Sequence, residues 1–358
     1  MKIHFKGLNA LRFYAAVSVV VHHVMYNPNV WYGLPNLPDT VGRFFINGTD
    51  AVHLFYVLSG FLITYLMLVE RERTGTVSVK KFYLRRVLRI WPLYFALILA
   101  TALVLPLIIP DFKNPLSNPV LTALLVLFQG NIAFILYYPF PPLEHLWSIA
   151  IEEQFYLFIP HVGKSGAKLV KVFITIIAFW WSLMAITGWL MPDNFFTILI
   201  TYMRYDCIAI GGLFACAYYF KYDVLKWIYH PIVGGLSFVV LVVIAIFIPE
   251  APSIPYTVFT ALSFGVLILN VSTNEKFFLK LDHPWLESAG NLSYGIYMLH
   301  PFLLLIFLSA VHTHMAEPIY QFASYPIIIT ATIVLSWLSY RFFETPFLKL
   351  KDTFKVAR

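Results

Sequence analysis

Eleven apolar segments recur along the 358-residue chain, and each approaches the roughly 20 residues that a helix needs to cross a bilayer. Hydrophobic residues make up 60% of the sequence and charged residues 12%, whereas a soluble domain carries about 25% charged residues. This pattern predicts an all-α, polytopic integral membrane protein. The segments span residues 10–26, 50–69, 90–109, 119–137, 146–160, 169–190, 197–219, 228–248, 255–271, 290–310 and 324–343.

The charge distribution predicts the orientation of these segments, because Lys and Arg concentrate in the cytoplasmic loops of membrane proteins. Lys2 and Lys6 precede the first segment and a basic tail at 346–358 follows the last, so both termini are expected to be cytoplasmic. The number of crossings is then even. We expect about ten transmembrane helices, with 119–137 forming an additional re-entrant or interfacial helix. The Pro-Phe-Pro-Pro run at 139–142 breaks any continuous helix there.

Composition also excludes several classes of protein. The loops account for the net charge of +7, so it indicates membrane orientation and no nucleic-acid partner. Cys207 and Cys216 lie in one apolar run on opposite helix faces, so we expect two small buried side chains and no disulfide. No Cys and His spacing indicates a metal site. One transmembrane domain is expected over 1–345, followed by the short basic tail.

Arg12 and His23 are the most informative polar residues, since they lie at the two ends of one apolar run. Eleven positions at about 100° each place both side chains on one helix face, about 16 Å apart along the axis. An ionisable group inside a membrane is costly and therefore indicates function. The alternatives are that Arg12 anchors a helix end and that His23 makes a helix-packing hydrogen bond.

A basic stretch before the third segment is a candidate anion site. Seven Lys and Arg residues fall within 70–89, and Arg86 and Arg89, or Arg85 and Arg89, are spaced to share a helix face. Arginine forks match phosphate oxygens, so the stretch predicts a site for a phosphorylated cytosolic cofactor. Ordinary membrane anchoring with contact to anionic lipids is the alternative.

A polar stripe crosses the otherwise apolar segment 146–160. Ser148, Glu152 and Tyr156 are spaced i, i+4, i+8, and Glu153 adjoins them. Two adjacent carboxylates at membrane depth are energetically costly, so at least one is expected to meet a cation or an imidazole, or to be protonated. A pair between His23 and Glu152 would orient the imidazole and raise its basicity. A buried structural ion pair is the alternative.

Smaller polar and glycine motifs are more typical of packing than of chemistry. The glycines allow another backbone to approach closely. A cation and a carboxylate three positions apart near the end of the last segment are expected to pair. These motifs are Ser59-Gly60-Phe61, Arg204 and Asp206 with Gly211-Gly212, His300-Pro301, and Arg341 with Glu344.

Together these motifs resemble the acyltransferase-3 family of integral membrane acyltransferases. They occur in the family's order and cover nearly the whole chain, so the set is far more specific than any one motif. One departure is His145, where many members have a hydroxyl residue. The matching elements are Arg12-x10-His23, Val57-Leu-Ser-Gly-Phe-Leu62, Arg86-x-x-Arg89, Trp147-Ser-Ile-x-x-Glu152-x-x-Phe-Tyr156, Arg204-x-Asp206 with Gly211-Gly212, Leu292-Ser-Tyr-Gly-Ile-Tyr297 with His300-Pro301, and Tyr340-x-x-x-Glu344-x-Pro346.

The resemblance implies transfer of an acyl group, usually acetyl, from cytosolic acyl-CoA to a hydroxyl across the bacterial cytoplasmic (inner) membrane. Family acceptors include lipopolysaccharide O-antigen, other surface glycans, peptidoglycan and small molecules. No appended extracytoplasmic hydrolase-like domain is expected here. Direct acylation of a glycan or lipid-linked acceptor, completion by an extracytoplasmic partner protein, and homo-oligomerisation all stay open. A transporter or flippase is the rival class, supported by generic intramembrane polar residues.

The mechanism so implied assigns roles to the motifs. Arg86 and Arg89, helped by Arg85 and Arg12, would bind the phosphates of acetyl-CoA. His23 would act as general base or as nucleophile, with Glu152 and Ser148 as its catalytic partners. The residues expected to contact the acceptor or support the site are Glu153, Tyr156, Arg204, Asp206 and His300.

Overall fold

Helices are the regular elements of the computed structural model, which describes residues 5–34, 41–164, 166, 168–247, 253–311 and 317–354. Short 3-10 turns at Gly42–Phe44 and Pro115–Ser117 and a π-helical segment at Ser339–Glu344 connect some of them. The helices are α1 (Leu8–Tyr32), α2 (Gly48–Thr74), α3 (Val79–Leu103), α4 (Leu105–Ile108), α5 (Pro119–Val126), α6 (Gly130–Tyr137), α7 (Leu146–Gly163), α8 (Lys168–Leu190), α9 (Phe195–Met203), α10 (Tyr205–Tyr219), α11 (Val224–Ile228), α12 (Pro231–Phe247), α13 (Ile254–Thr273), α14 (Pro284–Asn291), α15 (Ser293–Val311), α16 (Glu317–Leu338) and α17 (Thr345–Asp352).

Within the described residues, eight helical stretches are long and apolar enough to cross a membrane. The all-α, polytopic membrane fold is therefore confirmed. α12 is apolar but has only 17 residues, and the 18-residue α7 carries Glu152 and Glu153. Ten crossings, which would include these two helices, and the orientation of the chain stay predictions. The eight stretches are Leu8–Tyr32, Gly42–Thr74, Val79–Ile108, Lys168–Leu190, Phe195–Tyr219, Ile254–Thr273, Ser293–Val311 and Ala323–Asp352.

The segment 119–137 is not the single helix that the sequence predicts. Asn118 caps α5 by accepting backbone N–H bonds from Val120 and Leu121, but α5 ends at Val126 and α6 begins at Gly130. Phe128, between them, has a left-handed φ of 55°. A Cβ on Gly130 would press against the Leu146 carbonyl, so this glycine lets α6 pack closely on the start of α7.

Capping residues position α2 and α3, the two helices that carry much of the candidate site. The Asn47 side chain accepts the backbone N–H of Asp50 at the start of α2, and Gly75, with a φ of 78°, ends the helix. Ser78 then caps α3 by accepting the Lys81 N–H. This short turn places the arginines of α3 directly after the basic end of α2.

Glycine makes α2 and α10 pack backbone against backbone. A Cβ on Gly60 would overlap the carbonyl oxygen of Ile208, and one on Gly211 would overlap the carbonyl oxygen of Val57. The close contact that the sequence predicts at these glycines is confirmed. Cys207 and Cys216 are buried in α10 without a disulfide, as predicted.

The substitution Gly211→Ala is expected to destabilise the fold, because its new methyl group has no room against α2. Overpacking costs about 1–3 kcal/mol, which exceeds the helix-propensity gain of about 1 kcal/mol. Thermal unfolding of the detergent-solubilised protein measures the effect. Gly235→Ala is the matched control, since no atom lies within 4 Å of a Cβ at Gly235. Equal melting temperatures for the two variants would contradict the proposed backbone contact.

Candidate functional site

Arg12 and His23 both lie on α1, which is one continuous helix from Leu8 to Tyr32. α1 packs against α2 on one side and α15 on the other. Small and β-branched residues such as Ala15, Ala16 and Val19 are almost fully buried in these contacts. α1 therefore carries the two polar side chains into the interior of the bundle at different depths.

Three arginines line one cavity between α1, α2, α3, α7 and α15, here called the arginine cavity. Its empty volume, counting space open to solvent, is about 860 Å³. Its polar lining residues are Arg12, Tyr56, Ser59, Arg86, Arg89, Ser148, Glu152, Tyr156, Ser293, Tyr294 and Tyr297. The sequence-predicted cations Arg12, Arg86 and Arg89 thus meet the predicted polar stripe Ser148, Glu152 and Tyr156.

Aromatic rings and amides hold the arginines at one end of this cavity. The Arg86 guanidinium lies 5.9 Å from the ring centre of Tyr156 and 6.0 Å from that of Phe82. Arg12 donates to the Asn9 side chain at 3.4 Å, and Asn9 donates to Glu287 at 2.8 Å. A guanidinium held over aromatic faces, as in Arg86, can still bind an anion.

Glu152 belongs to the arginine end of the cavity and is not the partner of His23. Its carboxylate accepts the Tyr156 hydroxyl at 2.9 Å and interacts electrostatically with Arg12 and Arg86. The Tyr156 hydroxyl also contacts the Ser59 hydroxyl, and either group can be the donor. The expected pair of His23 and Glu152 is wrong, although Glu152 does meet cations.

Arg85 does not join the other arginines. Its guanidinium pairs with Glu70 at 2.8 Å and donates to the backbone carbonyl of Phe354 at 3.1 Å. Neighbouring helical residues point about 100° apart, so Arg85 leaves α3 in a different direction from Arg86. Arg85 is not among the residues that line the arginine cavity; it joins the ends of α2 and α3 to Phe354.

Three imidazoles gather beyond the other end of the cavity, and His23, His145 and His300 are here called the imidazole cluster. The His23 Nδ1 lies 2.7 Å from the His300 Nε2, and the two rings are stacked. The ring of His145 is 5.6 Å from that of His300. Among the described residues, no group of three or more His, Cys, Asp and Glu side chains could hold a metal ion.

Tyr297 separates the arginine cavity from the imidazole cluster. Its hydroxyl lies 2.6 Å from the Ser148 hydroxyl and donates to the His145 carbonyl at 3.0 Å. Its ring is 5.4 Å from that of His145 and 6.0 Å from that of His300. The cavity that begins at the arginines therefore ends at a tyrosine whose far side contacts the imidazoles.

The remaining predicted polar residues have structural partners. Glu153 accepts the Trp91 indole N–H at 2.9 Å. Arg204 forms a two-pronged, buried bond to Asp206 at 3.0 and 2.7 Å. The Glu153–Trp91 bond joins α7 to α3, and the Arg204–Asp206 pair lies at the break between α9 and α10.

Arg341 and Glu344 do not form the expected pair. The Arg341 guanidinium lies over the Trp337 and Phe342 rings at 5.3 and 5.5 Å, while Glu344 accepts the Ser339 hydroxyl at 3.0 Å. The π-helical turn over these residues changes the angular spacing of an α-helix, so side chains three apart no longer share a face.

The model of the acyltransferase-3 family, described as an acyltransferase domain, matches residues 5–341. The chain belongs to this family.

Curated proteins similar to this chain come from Staphylococcus aureus. A protein of strain COL whose name marks it provisionally as an O-acetyltransferase is 27% identical over 97% of this chain and 58% of its own length. The O-acetyltransferase OatA of strain NCTC 8325 is 26% identical over 97% of this chain and 57% of its own length. The chain thus spans less than two thirds of the length of these relatives. No solved structure matches the chain.

Three tyrosines of the arginine cavity were not identified from the sequence as site residues. Tyr56 donates to the Ser148 carbonyl at 3.3 Å, Tyr294 donates to the Ile90 carbonyl at 2.6 Å, and Tyr297 closes the cavity. A signal was present in the sequence, because Tyr297 is three positions from both Tyr294 and His300 and so neighbours each of them on the surface of α15.

Glu144, in the connection between α6 and α7, is expected to make stability depend on pH. Burial raises the pKa of its carboxyl from 4.5 to about 7, although Trp31 donates to both oxygens and the Phe140 N–H to one. A raised pKa favours the neutral form, so its contribution is full below about pH 4.5 and is lost as pH rises through 7. The loss is about 3 kcal/mol.

Melting curves of the solubilised protein between pH 5.5 and 8.5 test this expectation. The wild-type melting temperature should fall as pH rises, and Glu144→Gln, which cannot ionise, should flatten the decline. Glu275→Gln removes an exposed carboxyl and is expected to preserve the wild-type slope. A wild-type slope in Glu144→Gln would show that other groups cause the pH dependence.

Proposed function

We propose that this protein is a membrane-bound O-acetyltransferase that moves an acetyl group from cytosolic acetyl-CoA to a hydroxyl on the opposite side of a bacterial inner membrane. The observation that carries the proposal is the arginine cavity, which starts at three cations and ends against the imidazole cluster. Family membership and the names of the curated relatives support the same reaction class.

The cations supply a binding site for the donor. Arg12, Arg86 and Arg89 would hold the phosphates of acetyl-CoA, since guanidinium forks bind phosphate through charge-assisted hydrogen bonds. The pantetheine arm would then extend along the cavity toward Ser148 and Tyr297. A movement of Tyr297 would then let the thioester reach the imidazoles while the nucleotide stays at the arginine end.

His23 would carry out the transfer. Acting as a base, it takes the proton of the acceptor hydroxyl as the oxygen attacks the thioester carbon. The new oxygen–carbon bond replaces the carbon–sulfur bond, and the proton passes from the imidazole to the CoA thiolate. Acting as a nucleophile, His23 would first form an acetyl-imidazole as the carbon–sulfur bond breaks and the CoA thiolate leaves. The acceptor oxygen would then attack the acetyl carbon, the nitrogen–carbon bond would break to regenerate the imidazole, and the hydroxyl proton would pass to the thiolate.

The acceptor that we propose is a sugar hydroxyl of lipopolysaccharide O-antigen or another surface glycan, reached from outside the membrane. With ten crossings, Lys6 and the C-terminal lysines would lie in the cytoplasm, and the arginine end of the cavity would open there. An extracytoplasmic partner protein or a second copy of the chain could receive the acetyl group or complete the site.

Purified protein in detergent tests the proposal. Acetyl-CoA should raise the melting temperature by mass action, and acetyl-pantetheine, which lacks the nucleotide phosphates, should raise it much less. Free thiol should be released from acetyl-CoA in the presence of a chitooligosaccharide as a soluble sugar acceptor. Absence of both stabilisation and thiol release would favour a transporter or flippase. Mass spectrometry of surface glycans with and without the gene then identifies the acceptor.

A further inference from the structure

The two bonded imidazoles of the cluster differ in their surroundings. His300 is completely buried, whereas the residue His23 as a whole is only partly buried. The His300 Nδ1 lies 3.1 Å from the backbone carbonyl of Ile296, and its Nε2 lies 2.7 Å from the His23 Nδ1. One ring thus has both nitrogens occupied, and the other has one nitrogen left for a reactant.

These contacts determine where the protons lie. A carbonyl only accepts hydrogen bonds, so the His300 Nδ1 must carry a hydrogen toward Ile296. In a neutral His300 the Nε2 is then a lone pair, and it can only accept a hydrogen from the His23 Nδ1. The reverse assignment would need a cationic His300 deep in an apolar bundle, which burial strongly disfavours.

The local sequence reinforces this assignment. Pro301 has no N–H, so the Tyr297 carbonyl lacks the helical donor that would normally reach it from position 301. The carbonyls of both Ile296 and Tyr297 interact with the His300 ring. His145 and His22 are the titratable imidazoles nearest to the pair, and Tyr297 faces it from α15 itself. The nearest ionisable neighbours thus add no negative charge that would favour a cationic His300.

We propose that His300 is a positioning residue that holds His23 in the Nδ1–H tautomer and so presents the His23 Nε2 lone pair as the reactive atom. This inference rests on the proposed acetyl transfer. The acceptor proton goes to the His23 Nε2, and the resulting cation donates its Nδ1–H to His300. The proton then leaves from the same Nε2 to the CoA thiolate. Charge is thus stabilised by a neutral second imidazole where many enzymes use a carboxylate.

Kinetics of His300 variants test the role. His300→Leu removes the acceptor for the His23 Nδ1–H, and single-turnover thiol release should fall about 100-fold or more. Stabilisation by acetyl-CoA should remain, because the arginines are unchanged. His300→Gln offers an amide oxygen at about the position of Nε2 and should recover part of the rate. His22→Ala, which removes the adjacent imidazole on α1, is the matched control and should stay close to wild type.

A double-mutant cycle separates positioning from general structural damage. Because His300 acts through His23, adding His300→Leu to His23→Ala should reduce the rate little further. Additive losses, or a His300→Leu rate equal to wild type, would overturn the proposal.

A spectroscopic readout on unmutated protein avoids any folding defect. In ¹⁵N-histidine-labelled wild type, the His23 Nδ1 should give the signal of a protonated nitrogen and Nε2 that of a bare one; the opposite pattern would overturn the proposal. If wild-type protein neither binds nor turns over acetyl-CoA while this tautomer is observed, the proposed function fails and the assignment of the tautomer stands.

Discussion

The substitution His23→Ala is expected to abolish acetyl transfer while acetyl-CoA still binds. His23 is not among the residues that line the arginine cavity, so its loss would remove the proposed base or nucleophile and leave the three arginines intact. A missing general base lowers the rate about 10²–10⁴-fold, and a missing nucleophile lowers it further. Thiol release and acetyl-CoA-dependent melting shifts, measured on one preparation, report the two effects separately.

Two outcomes bear on the role of His23. Undiminished thiol release and product from His23→Ala would remove His23 from the mechanism. Rapid quenching by denaturant at neutral pH of wild-type protein that is turning over acetyl-CoA and acceptor, followed by mass spectrometry, distinguishes the two routes. Acetyl on a peptide containing His23 indicates a nucleophile, and its absence during active turnover indicates a base.

Removing two cations from the cavity is expected to have the second large effect. Arg86→Ala combined with Arg89→Ala should weaken acetyl-CoA binding about 100-fold or more, since hydrogen bonds to charged groups contribute about 1.5–3 kcal/mol each. Arg86→Lys with Arg89→Lys keeps both charges but loses the planar forks, so an intermediate affinity is expected. Binding to solubilised protein is measured by the acetyl-CoA-dependent shift in melting temperature.

The same helix offers a matched control for this experiment. Lys81→Ala removes one exposed charge near the start of α3, outside the cavity lining. Its affinity for acetyl-CoA should remain close to wild type. Equal affinities for the double alanine variant and Lys81→Ala would show that Arg86 and Arg89 serve packing or membrane anchoring.

Sequence periodicity predicted which residues share a helix face, and the structure agrees for the polar stripe. Ser148, Glu152 and Tyr156 line one cavity, and the glycines at 60 and 211 do allow a close contact. Helical spacing is a local property, so it shows which side chains share a helix face but does not show which residues of other helices contact them.

The partners of the predicted residues depend on tertiary packing, which explains the main errors. His300 is 277 positions from His23, and no periodicity connects them. Residue type alone does not distinguish Arg85 from Arg86, but Arg85 forms an ion pair with Glu70 on α2. The break between α5 and α6 follows from Gly130 meeting the start of α7, a contact between segments that sequence spacing does not reveal.

The backbone contact between α2 and α10 has a consequence for motion. Helices that meet through glycine have no intervening side chains to change rotamer, so this pair should move as one unit. Ser59 and Tyr56 on α2 therefore form a stationary wall of the cavity. If the cavity opens past Tyr297 during a catalytic cycle, α15 is the helix that would move. Pro301 leaves α15 one backbone hydrogen bond short and so creates a bending point beside His300.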